Sequence, residues 1–280
     1  MGKFTKDKRD IYYRKAKEDG YRARSAYKLL QLDEEYDLFK KPESFVDLCC
    51  APGSWSQVLS KKLTEKGFKP KDEQDIRAVS VDLQQIAPIE HIHAVQGDIT
   101  KKETLDKVLA AFKGNKAQLV ICDGAPDVTG FHDIDQYIQS QLLVAALNIT
   151  TFLIEKSGVF VAKIFKGSDV KFLYSQFKTF FKRVDIVKPK SSRSASVEAF
   201  IVCLDFDPPA DYRPKHFSTM DVINEEEEVK SISGDDKEVN PKSVQNFMKL
   251  KKFVTCGDLS GYDEDDTTTD DEEECKASKQ

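Results

Sequence analysis

Apolar positions along the chain fall into two kinds of run that alternate. Short apolar stretches at Phe45 to Cys50, Arg77 to Leu83, His91 to Gln96, Leu119 to Cys122, Val159 to Phe165, Val184 to Val187 and Val197 to Leu204 read as strands. Between them lie stretches with helical spacing: Val58, Leu59 and Leu63 after the first strand, then Thr104 to Phe112, Ile134 to Glu155 and Asp169 to Phe181. Strand and helix in alternation imply a mostly parallel sheet with helices on both faces. About nine residues rich in Pro, Ser and basic side chains separate the last two strands, too few for a crossover helix, so these two should pair antiparallel. The expectation is an α/β body of seven strands with a final antiparallel strand. Ahead of it, residues 5–40 read as two helices broken near Gly20, the second packing Leu29, Leu32, Tyr36 and Phe39 on one face.

Where the strands end is informative. The first runs into Cys49-Cys50-Ala51-Pro52-Gly53, and a helix opens at Ser54, with Gln57 three residues on completing the pattern of a capping box. Free N–H groups at that helix start would face the ligand position of an open parallel sheet. A dinucleotide fingerprint needs G-x-G-x-x-G, and this turn offers only Gly53. The neighbouring strands end in Asp82, Asp98 and Asp123, carboxylates that repel a pyrophosphate but suit ribose hydroxyls, an amine donor and a positive charge. S-adenosylmethionine fits that description.

The reacting chemistry is expected across the pocket. Val159, Val161 and Lys163 share one strand face, so Lys163 leaves an apolar strand at its ligand end, where desolvation favours a neutral amine. Glu198 opens the antiparallel strand and therefore lies on the same sheet edge. Asp123, Lys163 and Glu198 should converge, and such a lysine can accept the proton of a hydroxyl that attacks a methyl group. Each residue also has a plainer use: Asp82 and Asp98 as turn formers, Trp55 as core packing, Lys163 as a snorkelling side chain, Glu198 as a surface partner of Arg193. His91 and His93 share a strand face without a third ligand at suitable spacing, so no metal is expected.

Charge adds a partner class. The 280 residues carry a net charge of −5, but residues 221–280 hold 18 acidic against 8 basic side chains, leaving residues 1–220 with 35 basic against 30 acidic. Residues 1–30 and 163–193 contain most of that excess, and Tyr12, Tyr13 and Tyr21 interleave with Arg14, Arg22 and Arg24, a composition suited to phosphates and unstacked bases. Residues 210–280 should be a largely disordered acidic tail with a possible short helix at 243–254. Six cysteines without a C-x-x-C pair read as reduced, mostly buried thiols. With no stretch long enough to span a membrane and a polar, charged start, the protein is expected to be intracellular and cytoplasmic.

Five stretches in order, Ser25-Ala26-Tyr27-Lys28-Leu29, Asp47 to Gln57, Asp123-Gly124-Ala125-Pro126-Asp127, Phe160 to Phe165, and Ser191-Ser192-Arg193 with Ser196-Val197-Glu198, resemble the FtsJ-like (RrmJ) family of RNA ribose 2′-O-methyltransferases. The resemblance covers residues 5–205, and the N-terminal Lys6 to Lys17 is similar to the eukaryotic branch that acts on the tRNA anticodon loop. It implies a Rossmann-like class I S-adenosylmethionine-dependent methyltransferase domain over residues 1–209. It further implies a catalytic tetrad at Lys28, Asp123, Lys163 and Glu198, and cofactor contacts at Gly53, Trp55, Asp82, Asp98 and Asp123. By the same resemblance the substrate is tRNA at nucleotides 32 and 34, and separate partner proteins select the nucleotide. Ribosomal RNA as substrate, or a non-catalytic RNA-binding role on the same fold, are the alternatives. The absence of a long domain after the core speaks against the nucleolar branch, and the intact tetrad speaks against the non-catalytic role. The Cys49-Cys50 pair departs from the family pattern, in which a small residue commonly follows the first strand.

Overall fold

The computed structural model describes residues 3–72, 75–126, 131–167, 170–193 and 196–216. Its strands are β1 Phe45–Leu48, β2 Ala78–Asp82, β3 Ile92–Gln96, β4 Ala117–Cys122, β5 Ile154–Phe165, β6 Phe181–Val187 and β7 Glu198–Phe206. They form one sheet in the order β3-β2-β1-β4-β5-β7-β6. Pairing is parallel from β3 through β5, and β7 runs antiparallel to β5 on one side and β6 on the other. The short link between the last two strands thus has the consequence expected of it.

Helices cover both faces, which is why the strands are nearly continuous apolar runs. Val46, Leu48, Val120, Phe160 and Ala162 pack with α4 (Lys102–Phe112), α5 (His132–Leu153) and α6 (Val170–Phe180). The alternate positions Phe45, Leu119, Ile121, Val161 and Phe200 pack with α2 (Ala26–Tyr36) and α3 (Ser54–Glu65). Strand alternation puts Asp47 and Lys163 on this second face. The first helix, α1 (Lys3–Glu18), precedes α2 across the break at Gly20, where φ is +73°.

Three local expectations need revision. No capping box opens α3: Gly53, at φ +101°, is the N-cap, Ser54 Oγ shares a hydrogen bond with Ser25 Oγ at 2.6 Å, and Gln57 Oε1 accepts the Arg22 N–H at 2.7 Å. The left-handed turn at Gly53 replaces a side-chain cap, and both side chains reach to the 20–25 segment instead. Strand β5 starts at Ile154, directly after α5. Its polar Glu155, Lys156 and Ser157 hide that start in the sequence, and a register shift opposite Ala117 and Leu119 accommodates them. The body also continues past residue 209, because Tyr212 packs edge-on against Phe180 at 4.9 Å between centroids and donates to Thr151 Oγ1 at 3.2 Å. The acidic tail beyond residue 216 and its helix at 243–254 lie outside the described residues. Among those residues, no helix is long and apolar enough to cross a membrane.

Candidate active site

The sheet reverses its winding between β1 and β4, and a cavity of about 520 Å³ opens there beyond the strand ends, lined among others by Cys49, Ala51, Asp82, Asp98, Asp123 and Ile138. Three of the four acidic or glycine strand-end positions therefore meet in one space. Asp82 Oδ2 accepts the Ala51 N–H and Oδ1 the Gln84 N–H, each at 2.8 Å. Asp98 Oδ1 accepts the Thr100 N–H at 2.8 Å and its hydroxyl at 2.7 Å. Both carboxylates thus form the turns that their plainer reading called for, and both also face the cavity. A carboxylate has about four lone-pair sites, so each retains capacity for ligand hydroxyls. The residues fit a nucleoside that carries a positive charge.

One ion pair reaches this cavity through Asp123, and a second lies close enough for the Lys163 charge to act on Glu198. Lys163 Nζ stands 2.7 Å from Asp123 Oδ1 and donates to the Asp123 carbonyl oxygen at 2.8 Å. The contact to Oδ1 has ion-pair distance without hydrogen-bond alignment, since that oxygen is buried with no hydrogen-bond partner among the described residues. Lys28 Nζ donates to Glu198 Oε2 at 2.7 Å, and Ser192 Oγ donates to Oε1 at 2.8 Å. Burial opposes ionisation of Glu198, but Lys28, then Ser192 and the Lys163 charge, outweigh it and hold its carboxyl below the usual range. Among the described residues its side-chain partners are Lys28 and Ser192, where the sequence suggested Arg193. The expected set of Lys28, Asp123, Lys163 and Glu198 is thus organised as two pairs at the end of one sheet face. Lys28 has the weakest physical warrant in the sequence, where it flanks an apolar helical stripe. Its side chain is nonetheless only 12% exposed, because the start of α2 points into the site and not along the surface.

Gly53 and Trp55 are placed differently from the three aspartates. Gly53 lies on the loop that walls the cavity, and a Cβ there would fall 2.7 Å from Arg22 Nη1. The Trp55 indole is buried, stacks obliquely on Phe200 and donates its N–H to the Ser25 carbonyl at 2.8 Å. It points into the core and not into the cavity.

Asp47 escaped the sequence reading as a titrating group. It is fully buried beneath the cavity loop, with Oδ2 accepting the Ser56 hydroxyl at 2.6 Å and Oδ1 unpartnered among the described residues. Burial, reinforced by the charges of Asp123 and Asp82 and opposed by Ser56, pushes its pKa to about 8. The signal that could have found it is a lone acid inside an otherwise apolar strand. At the departure from the family pattern, the unusual backbone belongs to Cys49, at φ +56°, while Cys50 is simply buried. All four described cysteines are free thiols.

The sheet order, with β7 inserted antiparallel and a ligand cavity at the switch point, defines a Rossmann-like class I methyltransferase. Within that class, residues 21–206 match the FtsJ-like methyltransferase family, and the chain belongs to it. It is 50% identical, over 95% of its length and 77% of the relative's, to the tRNA (cytidine(32)/guanosine(34)-2′-O)-methyltransferase of Mus musculus. The protein of the same name from Homo sapiens is 49% identical over 95% of this chain and 75% of that one. A crystal structure described as that of a ribosomal RNA methyltransferase of Plasmodium falciparum superposes with a TM-score of 0.58 at 27% identity, covering 68% of this chain and all of that one.

Proposed function

We propose that this chain transfers a methyl group from S-adenosylmethionine to the ribose 2′-oxygen of nucleotides 32 and 34 in the tRNA anticodon loop. The observation that carries the chemistry is the buried Lys163–Asp123 pair at 2.7 Å beside a cavity lined by Asp82 and Asp98. The choice of RNA rests on relatives of that name aligning over 95% of the chain. When bound, the cofactor supplies an electrophilic methyl on a sulfonium. Lys163, once its ammonium has released a proton to solvent, would take the ribose hydroxyl proton as the 2′-oxygen accepts the methyl group, and the adjacent Asp123 carboxylate would stabilise the ammonium that re-forms. Lys28 and Glu198 hold the ribose and the lysine in register, and much of the acceleration comes from that orientation. Asp82 and Asp98 bind the nucleoside hydroxyls and amine, and Gly53 and the Trp55 main chain seat the cofactor loop.

Separate proteins select the nucleotide in this reading, since the basic side chains of residues 1–30 and 163–193, other than Arg22, Lys28 and Lys163, recognise phosphates and carry no sequence information. Mapping ribose methylation in RNA from cells lacking the protein tests the assignment. Loss at tRNA nucleotides 32 and 34 with ribosomal RNA unchanged is the expected result. Loss confined to ribosomal RNA would overturn the choice of substrate.

A further inference from the structure

Arg22 lies outside the cavity and forms no part of the tetrad, yet it ties together the two loops that wall the cavity. Its Nη1 donates to the Pro52 carbonyl at 3.0 Å, and its Nη2 donates to the carbonyls of Ala87 at 3.0 Å and Pro88 at 3.1 Å. The first acceptor belongs to the turn after β1, which contributes Ala51 to the cavity wall. The other two lie on the loop after β2, whose Leu83 and Gln84 line the opposite side. The same stretch of chain is anchored elsewhere: the Arg22 N–H reaches Gln57 Oε1, and Ser25 meets both Ser54 and the Trp55 indole. Glycine at position 53 is what lets the guanidinium come so close, for a Cβ there would meet Nη1 at 2.7 Å and Ile89 Cδ1 at 3.0 Å.

These contacts have a particular chemistry. All three acceptors are main-chain carbonyls, so the arrangement does not depend on side chains of either loop, and it reaches 30 residues along the sequence to one loop and more than 60 to the other. A planar guanidinium presents donors on separate nitrogens at fixed angles and can bridge two segments at once, which a lysine ammonium on its flexible stem does poorly. We propose that Arg22 is a positioning residue for the cofactor. It fixes the distance between the loop 50–53 and the loop 84–91, so that the site is formed before the ligand arrives and binding carries no cost of ordering them.

The inference rests on the reading of the cavity as an S-adenosylmethionine site, and the test separates the two. Calorimetric titration of the purified full chain with S-adenosylhomocysteine needs no RNA. It is paired with the kcat of methyl transfer at saturating cofactor. Arg22→Ala should weaken binding by at least about fivefold while kcat at saturating cofactor stays within about threefold. Arg22→Lys keeps the charge but not the fork and should also weaken binding by at least about fivefold. If Arg22→Ala does not fold, the Lys variant decides by the same criterion. A smaller change in affinity overturns the proposal. So does a larger fall in kcat, which would mark general damage to the site. Failure of the unaltered chain to bind removes the cofactor reading and this proposal together, whereas equal binding by all three proteins removes only the role of Arg22.

Discussion

Replacing Asp47 by asparagine tests the electrostatics beneath the loop after β1. The carboxyl is fully buried, and its pKa is pushed from the ordinary 3.8 to about 8, chiefly by burial. A raised acid pKa means that the folded protein holds a proton the unfolded chain has lost. Asp47 therefore weighs nothing against the fold below about pH 4 and increasingly opposes it as pH rises toward 8. Each unit of that shift corresponds to about 1.4 kcal/mol, so ionisation of Asp47 costs the fold about 5–6 kcal/mol in full by pH 8. The Asp47→Asn protein carries no such dependence. Its side chain places an amide N–H₂ where Oδ1 has no partner, a penalty of about 1–3 kcal/mol that is the same at every pH. Urea unfolding of both proteins at pH 5, 6, 7 and 8 isolates the difference, because every other titrating group cancels between them. The stability of the variant relative to the parent should rise by about 1.4 kcal/mol per pH unit across this range, about 4 kcal/mol between pH 5 and pH 8. Parallel profiles would show that Asp47 ionises normally and that the account of its burial is wrong.

The other predictions concern the pairs around the cavity. Lys28→Met leaves the Glu198 carboxylate buried without its cation and should cost about 3–5 kcal/mol in denaturant unfolding, with Lys28→Met combined with Glu198→Leu recovering much of it; no recovery would mean that the pair is not a coupled unit. Because the Glu198 carboxyl is held below the usual range, its charge and the stability it lends are present above about pH 4 and lost as pH falls through its folded value. Transfer rates between pH 6 and 9 should therefore contain no step removed by Glu198→Gln, a step that pH–rate profiles of both proteins would reveal. Trp55→Ala should cost about 3–5 kcal/mol through the void against Phe200, whereas Trp55→Phe loses mainly the hydrogen bond to Ser25, about 1 kcal/mol; equal losses in thermal unfolding would contradict the placement of the indole in the core.

Much of the fold was legible in the chain because periodicity and link length are local. Seven apolar runs and one link too short for a helix suffice to place β7 antiparallel. The limits of the strands were less legible where polar residues bulge out of the ladder, as at Glu155 to Ser157, or where a helix passes into a strand without a turn, as at Phe180 and Phe181. In the site, strand ends declared Asp82, Asp98 and Asp123 because a parallel sheet delivers its carboxyl ends to one edge. What the chain does not announce is direction. Trp55 sits beside the cavity loop in sequence but turns its ring to Phe200, and Lys28 looks like the flank of an amphipathic helix but turns inward to Glu198. Ser54 and Gln57 match a capping pattern, yet tertiary partners at Ser25 and Arg22 claim both. These outcomes depend on contacts made across the fold, which spacing along the chain does not encode.

The proposed role of Lys163 as the base that takes the ribose proton during methyl transfer to the tRNA anticodon loop is open to direct measurement. The direct measurement is transfer of labelled methyl from S-adenosylmethionine to tRNA by the unaltered chain and by Lys163→Ala, each with candidate partner proteins, alongside calorimetric binding of S-adenosylhomocysteine. Label is expected at nucleotides 32 and 34 with the unaltered chain, and none above background with Lys163→Ala although its affinity for S-adenosylhomocysteine is retained. A Lys163→Ala protein that transfers methyl at the parent's rate would contradict it.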